Sequence, residues 1–170
     1  MGQKAITIYT PATTPPHINA EDDAQVYRAI FGQASGIAEG DSQLACTVVN
    51  DNTVRLASGT FVNQGYLVCV PGGQTEDFAI PSGTQAMYRK DLLIAEFTRG
   101  GGDVPDTHVF RMLTGTAASS EASAAAPTLV QNDLSAGGSL RQEALYQVLV
   151  SGTTISSIMQ VARLVGNVYQ

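Results

Sequence analysis

The sequence predicts a mainly β protein, an antiparallel β-sandwich or barrel-like domain with one N-terminal helix and an extended Pro-rich arm before it. Three observations predict this fold. From residue 43 onward, apolar and polar residues alternate in short runs that are separated by turns rich in glycine, asparagine and serine. One stretch near residue 20 has the spacing of an amphipathic helix. Three prolines fall within the nine residues from 11 to 19.

The first 19 residues are predicted to form an extended arm. Ile6 and Ile8 alternate with polar neighbours and indicate a short strand or extended segment over 4–10. The prolines that follow exclude a helix and favour a polyproline-like path. We therefore divide the chain into an arm, 1–19, and a single β-rich domain, 20–170.

The helix is predicted over about residues 20–32. Asn19 offers an N-cap, three acidic residues follow it where the helix dipole favours negative charge, and Gly32 ends the helix. An apolar stripe runs along the helix. This stripe either packs about an axis shared by several subunits or covers one open end of its own sandwich, and the sequence leaves both open. The stripe consists of Val26, Tyr27, Ile30 and Phe31.

The strands are predicted from the alternating runs and from the turn residues between them. Pro71-Gly72-Gly73 is expected to separate two of these runs, and the Gly-rich segment 100–106 is expected to be a hairpin loop. The low-complexity segment 116–127 is compatible with a helix or with a surface loop. The predicted strands are 44–49, 53–58, 59–64, 65–70, 75–81, 90–99, 107–115, 142–150 and 153–158.

Composition argues against two classes of partner. The formal net charge is −6, and only nine residues are lysine or arginine, so the chain has little with which to neutralise phosphates and nucleic-acid binding is not expected. No window of 18 apolar residues is present, so membrane insertion is not expected. Cys46 and Cys69 lie in apolar runs and are predicted to be buried free thiols.

The residues that carry catalysis are scarce. His17 and His108 are the two histidines, and neither has the spacing of a metal ligand set. Asp103 and Asp106 could bind calcium weakly, although a solvated hairpin tip is the more common arrangement. No nucleophile with a matching base is visible. The sequence therefore predicts no catalytic site, no metal site, no cofactor and no enzyme.

Arg89 and Asp91 stand at the start of a predicted strand. Alternation places both side chains on one face, about 6.6–7 Å apart along the chain, and Lys90 on the other face. Without a base or nucleophile beside them, they are interpreted as a structural ion pair that fixes the strand.

Four stretches, over roughly residues 17–160, carry a resemblance to a known family. They are "PHINAEDDAQVYRAIFG", "NTVRLASGTFVNQGYLVCVPGG", "YRKDLLIAEFTRGGG" and the pair "LTGTAASSEASAAAPTLVQNDL" and "EALYQVLVSGTTISSI". In order and spacing they resemble the small β-domains of tailed-phage and prophage virion proteins, especially the N-terminal domain of upper-baseplate and receptor-binding tail proteins. That family usually continues into a receptor-binding or fibre region, whereas this chain stops at Gln170.

The resemblance implies a virion structural protein of the tail baseplate or fibre-attachment site, made in the bacterial cytoplasm. It would act by non-covalent assembly as an adaptor or scaffold, as a homo-oligomer with trimer the favoured symmetry, and would bind other tail or baseplate proteins. The alternative is a β-sandwich module for carbohydrate or a host receptor, with host-surface glycan as ligand, although tryptophan is absent and aromatic residues make up only 6%. The candidate assembly contacts are Ile6, Ile8, Tyr9, Val26, Tyr27, Ile30 and Phe31.

Overall fold

The computed structural model describes residues 4–5, 9, 11–15 and 18–166. The described chain is mainly β, with two sheets and a single α-helix near the N-terminus, which confirms the predicted fold class. No helix within these residues has the length and apolar character needed to cross a bilayer. The elements are α1 Ala20–Phe31, β1 Gly36–Ala38, β2 Cys46–Asn50, β3 Thr53–Asn63, β4 Tyr66–Ala79, β5 Tyr88–Thr98, β6 Thr107–Leu113, a short 3-10 helix Leu134–Ala136, β7 Leu140–Ser151, β8 Thr154–Gln160 and β9 Leu164–Val165.

The first sheet is built around β3. β2 and β1 pair with the two ends of one edge of β3, β9 extends the sheet beyond β1, and β4 pairs along the other edge of β3. The second sheet has the order β6-β5-β7-β8. All of these pairs are antiparallel except β1 with β9, which is parallel, so the expectation of an antiparallel fold is wrong for that pair. Neither β1 nor β9 was predicted, because strands of three and two residues are too short to show an alternation.

The main core lies between the two sheets, where alternate residues of facing strands point inward. A second, smaller apolar cluster joins α1 to the body of the domain and consists of Ala24, Tyr66, Phe97 and Leu134. The best buried members of the main core are Ile37, Leu44, Leu56, Phe61, Leu93, Ala95 and Leu145.

Two pairs of predicted strands are in fact continuous. The runs 53–58 and 59–64 form β3, and the predicted break at Pro71-Gly72-Gly73 lies inside β4. β4 takes the five steps from Val70 to Thr75 where β3 takes the two from Ala57 to Gly59, so the extra residues form a bulge. A bulge tolerates a proline, which has no N–H to donate, without ending the strand.

The two cysteines are free thiols, as predicted, but the expectation that both are buried is wrong. Cys46 is half-buried, and its burial raises the thiol pKa to about 11. Cys69 is exposed because β4 alternates, with Val68 and Val70 packed toward the core and Cys69 on the outer face with Leu67.

The alanine- and serine-rich segment 116–127 forms a loop, the second of its two predicted alternatives. Ala118 exchanges backbone hydrogen bonds of 2.8 and 2.9 Å with Tyr88 at the start of β5. Thr116 pairs with Ala125 across the loop. These bonds satisfy the backbone groups that a helix would have paired internally.

The helix has the predicted ends. Asn19 and Asp22 form a capping box, in which Asp22 N donates to Asn19 Oδ1 at 3.1 Å and Asn19 N donates to Asp22 Oδ2 at 2.8 Å. Gly32, at φ 76°, donates its N–H to Arg28 O at 2.8 Å and ends the helix.

Candidate interaction surface

The apolar stripe of α1 faces away from the domain. Val26, Tyr27 and Ile30 are 40%, 36% and 39% exposed. The face that contacts the body of the domain instead carries Ala24 and Arg28, which are 2% and 7% exposed. The helix therefore does cover part of its own domain, but with the side of Ala24 and Arg28 and not with Val26, Tyr27 and Ile30. We define Val26, Tyr27 and Ile30 as the α1 outer face.

Glycine and alanine set this orientation of the helix. Gly65, in the β3–β4 turn at φ 91°, lies so close to α1 that a Cβ on it would stand 2.3 Å from the carbonyl oxygen of Ala24. Only two residues without bulk allow backbones to approach this closely. Arg28 completes the contact by donating from Nη1 to Gln64 O at 3.0 Å.

A polar cluster around Glu21 fastens the start of α1. The hydroxyl of Tyr66 donates to Glu21 Oε2, and Arg28 Nη2 donates to Glu21 Oε1 at 2.8 Å. Arg99 Nη1 lies 3.3 Å from both Glu21 Oε2 and the Tyr66 hydroxyl. Arg99 also donates to the backbone carbonyls of Leu134 and Gly138 at 3.1 Å each. Glu21 thereby links the helix to β4, to the end of β5 and to the loop before β7.

The contacts of Glu21 change its acidity. Burial by itself would raise the pKa of Glu21, but hydrogen bonds from Tyr66 and Arg28 and the charges of Arg28 and Arg99 outweigh it and lower the pKa below its usual value. For Tyr66, burial and the hydrogen bond to Glu21 raise the pKa. The ionised carboxylate is the form that the folded protein prefers.

Glu21→Gln is expected to lower the melting temperature at pH 7 and to have little effect at pH 3. A carboxyl group whose folded pKa is depressed stabilises the fold above its unfolded pKa, near 4.3–4.5, and loses this contribution as the pH falls through the lower folded value. Thermal unfolding of both proteins from pH 3 to 7 measures the difference. Asp51→Asn, in the β2–β3 turn, is the control. A difference that stays constant down to pH 3 would contradict the role of the Glu21 charge.

A pocket of about 320 Å³ lies between α1 and the start of β4, next to the α1 outer face. Tyr27 belongs to both the pocket and the outer face. The pocket lining combines aromatic and small apolar residues with two carboxylates. It consists of Ala20, Asp23, Ala24, Tyr27, Gly65, Tyr66, Leu67, Phe97, Asp106 and His108.

His108 is a packed aromatic ring of this pocket. It lies edge-on to Phe97 with ring centroids 5.6 Å apart, and neither ring nitrogen has a well-formed hydrogen bond among the described residues. Burial lowers the pKa of His108 to about 4, against a smaller opposing effect of the Leu67 backbone. The imidazole is therefore neutral at physiological pH.

The arm residues among the predicted contacts are only partly described. Ile6 and Ile8 lie outside the described residues, and Tyr9 is 88% exposed. The strand predicted over 4–10 lies mostly outside them too, and its described residues, Lys4, Ala5 and Tyr9, are not in a strand. Lys4 Nζ lies 2.8 Å from Asp22 Oδ2 and so ties the arm to the first turn of α1. Phe31, at the end of the stripe, is half-buried.

Arg89 and Asp91 form a buried two-point ion pair in β5. Arg89 Nε and Nη2 each donate to Asp91 at 2.8 Å, and the two residues are 8% and 1% exposed. Asp91 also accepts from Gly115 N at 2.9 Å, and Arg89 donates to the carbonyl of Pro81 at 2.5 Å. The pair thus joins β5 to the segments before it and after β6. It lies outside the pocket lining beside α1.

The Glu21 cluster and the pocket were not predicted. Glu21 was read only as a partner of the helix dipole, because its contacts with Tyr66 and Arg99 span 45 and 78 residues of sequence. The available signal was Arg28, a charged residue four positions after Ala24 and so on the same side of the helix, but nothing in the local pattern shows that this side is buried. Asp103 and Asp106 were considered for calcium; Asp106 Oδ1 accepts from Gly100 N at 2.8 Å and closes the hairpin loop.

The described residues contain no group of three or more histidine, cysteine or acidic side chains placed to hold a metal ion. Their arrangement offers an apolar helix face and a pocket with carboxylates, which can bind another molecule by burial and charge. No protein-family model matches the chain, and no curated protein matches its sequence significantly.

Proposed function

We propose that this protein is a structural subunit of a tailed-phage virion, in the tail baseplate or at a fibre-attachment site, that works by non-covalent assembly. The observation that carries the assembly proposal is the α1 outer face. The helix packs on its own domain through Ala24 and Arg28, and its large apolar residues of the outer face stay exposed. Exposed apolar residues that cluster on one element mark interaction surfaces. The virion context rests on the resemblance of residues 17–160 in order and spacing of elements.

The partner at the α1 outer face is proposed to be another copy of the chain, in a closed ring with trimer the favoured symmetry. The central part of this helix, from Gln25 to Ile30, presents no charged side chain outward, since Arg28 is buried. Identical copies of a chain with net charge −6 can therefore meet there without like charges facing each other. Other baseplate or tail proteins would bind elsewhere on the oligomer.

Val26→Glu with Ile30→Glu is expected to convert the oligomer to a monomer. Two carboxylates in an apolar contact would have to be buried unpaired, which opposes association strongly. Multi-angle light scattering coupled to size exclusion measures the molar mass, with far-UV circular dichroism to verify folding. Val48→Glu with Val49→Glu is the matched control, because these valines are 49% and 43% exposed on β2 and add the same charge.

Two results would count against the proposal. A wild-type chain that stays monomeric at high micromolar concentration would remove the assembly role of α1. Saturable sugar binding by the isolated chain on a glycan array would favour the carbohydrate-binding alternative over a scaffold. The virion location is tested separately by mass spectrometry of purified phage particles and by whether the neighbouring genes encode tail and tape-measure proteins.

A further inference from the structure

The pocket beside α1 has a volume and a lining that can receive a side chain of another protein. Its volume, about 320 Å³, is at the lower end of the range of about 300–1,000 Å³ found for ligand pockets. Gly65 and Ala24 lie in close contact at its wall, and Leu67 and Phe97 give it apolar surface. An extended apolar stem fits such a lining better than a flat or highly polar group.

The charges of the pocket have one sign. Among the described lining residues Asp23 and Asp106 are the two carboxylic acids, and none is a lysine or an arginine. His108 is neutral at physiological pH because burial lowers its pKa to about 4. Asp106 is held in place by its bond from Gly100 N. An anionic ligand would be repelled, and an uncharged one would desolvate the carboxylates without compensation.

The aromatic rings of the pocket are also suited to a cation. The guanidinium carbon of Arg99 lies 5.6 Å from the ring centroids of both Tyr66 and Phe97, so these rings already pack against one positive charge, which Glu21 pairs. Tyr27 adds a third ring to the lining of the pocket. Aromatic faces together with carboxylates favour an ammonium or guanidinium group.

We propose that this pocket binds a lysine or arginine side chain presented by a different protein partner. Of the α1 outer face, Tyr27 is among the described lining residues and Val26 and Ile30 are not, so a protein surface can reach the pocket beside a contact made through Val26 and Ile30. A second copy is the poorer source, because among the residues that the structure describes seven of the nine basic side chains already form ion pairs, and Lys90 and Arg163 are the two for which that part of the chain shows none. Arg163 donates to Ser35 O at 3.4 Å, and Lys90 is half-buried on β5.

The test titrates the full chain with Nα-acetyl-lysine methylamide and follows the amide resonances of Gly65, Leu67 and Phe97 by NMR. The arginine analogue is expected to bind comparably. The norleucine analogue, which has the apolar stem without the charge, is expected to bind at least fivefold more weakly, and the glutamate analogue is expected not to bind. Because the probes are small, the result does not depend on assembly through α1.

Asp23→Asn with Asp106→Asn is expected to weaken lysine-analogue binding at least fivefold while the fold is retained, since an asparagine at 106 can still accept from Gly100 N. Asp103→Asn, on the same loop but outside the lining, is the control. Equal binding of the norleucine and lysine analogues, or unchanged binding by the double variant, overturns the proposal. In the Val26→Glu and Ile30→Glu variant, which is expected not to associate through the α1 outer face, shifts at these amides on concentrating the protein alone would assign the pocket to a second copy and overturn the proposal as well.

Discussion

Asp91→Ala is expected to lower the free energy of unfolding by about 3–5 kcal/mol, the range measured when one partner of a buried ion pair is removed. The Arg89 guanidinium would stay buried, at 8% exposure, without its carboxylate. Gly115 N, which donates to Asp91 at 2.9 Å, would lose its acceptor at the same time. Urea denaturation followed by far-UV circular dichroism measures the change.

The chain offers a control with the same geometry at the surface. Arg55 Nε and Nη2 donate to the two carboxylate oxygens of Asp77 at 2.7 and 2.8 Å, but both side chains are more than 40% exposed. Exposed pairs contribute little because water competes with them and salt screens them. Asp77→Ala is therefore expected to shift the unfolding midpoint only slightly. If Asp91→Ala proved as mild as Asp77→Ala, the structural role of the Arg89–Asp91 pair would be refuted.

Gly65→Ala is the second substitution with a large expected effect. It is expected to lower the free energy of unfolding by about 2–4 kcal/mol and to release α1 from the domain. At φ 91° an alanine is strained by about 1–2 kcal/mol, and its Cβ would meet the Ala24 carbonyl oxygen 2.3 Å away, so the helix has to move. The small core cluster below α1 would then open to water. Hydrogen exchange should show lost protection across 20–31 before the sheets are affected.

Gly73→Ala separates the two causes of this loss. Gly73 also has a positive φ, 74°, but a Cβ there would have nothing within 4 Å. It should show the backbone strain alone and leave the exchange of α1 amides unchanged. Equal losses in the two variants would mean that the close approach of Gly65 to the helix is not what holds α1 in place.

Much of the fold could be predicted from local sequence features such as helix caps and strand alternation. Asn19 caps the start of the helix and Gly32 caps its end, each through contacts with residues a few positions away. The predicted helix, 20–32, therefore differs from the structure only at Gly32, which is the C-cap. The Arg89–Asp91 pair was likewise predictable, because residues two positions apart on a strand share a face. The strand β4 was harder, since a proline and two glycines look like a turn unless the partner strand shows that they form a bulge.

The orientation of α1 could not be predicted from its own residues. Periodicity places Val26, Tyr27 and Ile30 on one side, and burial normally takes the apolar side inward. Here contacts distant in sequence decide otherwise: Gly65, which has no Cβ, lets the backbone at Ala24 approach closely, and Gln64 O accepts from Arg28 Nη1. The pocket depends on the same packing, because Asp23 and Asp106 come together only when α1 lies on the β3–β4 turn.

The sequence by itself determined the fold class, the helix ends and the ion pair of β5, because each depends on period, capping or spacing over a few residues. Only the tertiary structure decided which face of α1 is buried, how Glu21 is held and where the pocket lies. These depend on contacts between residues far apart in the sequence, from 36 positions for Arg28 with Gln64 to 78 for Glu21 with Arg99, and no local pattern records them.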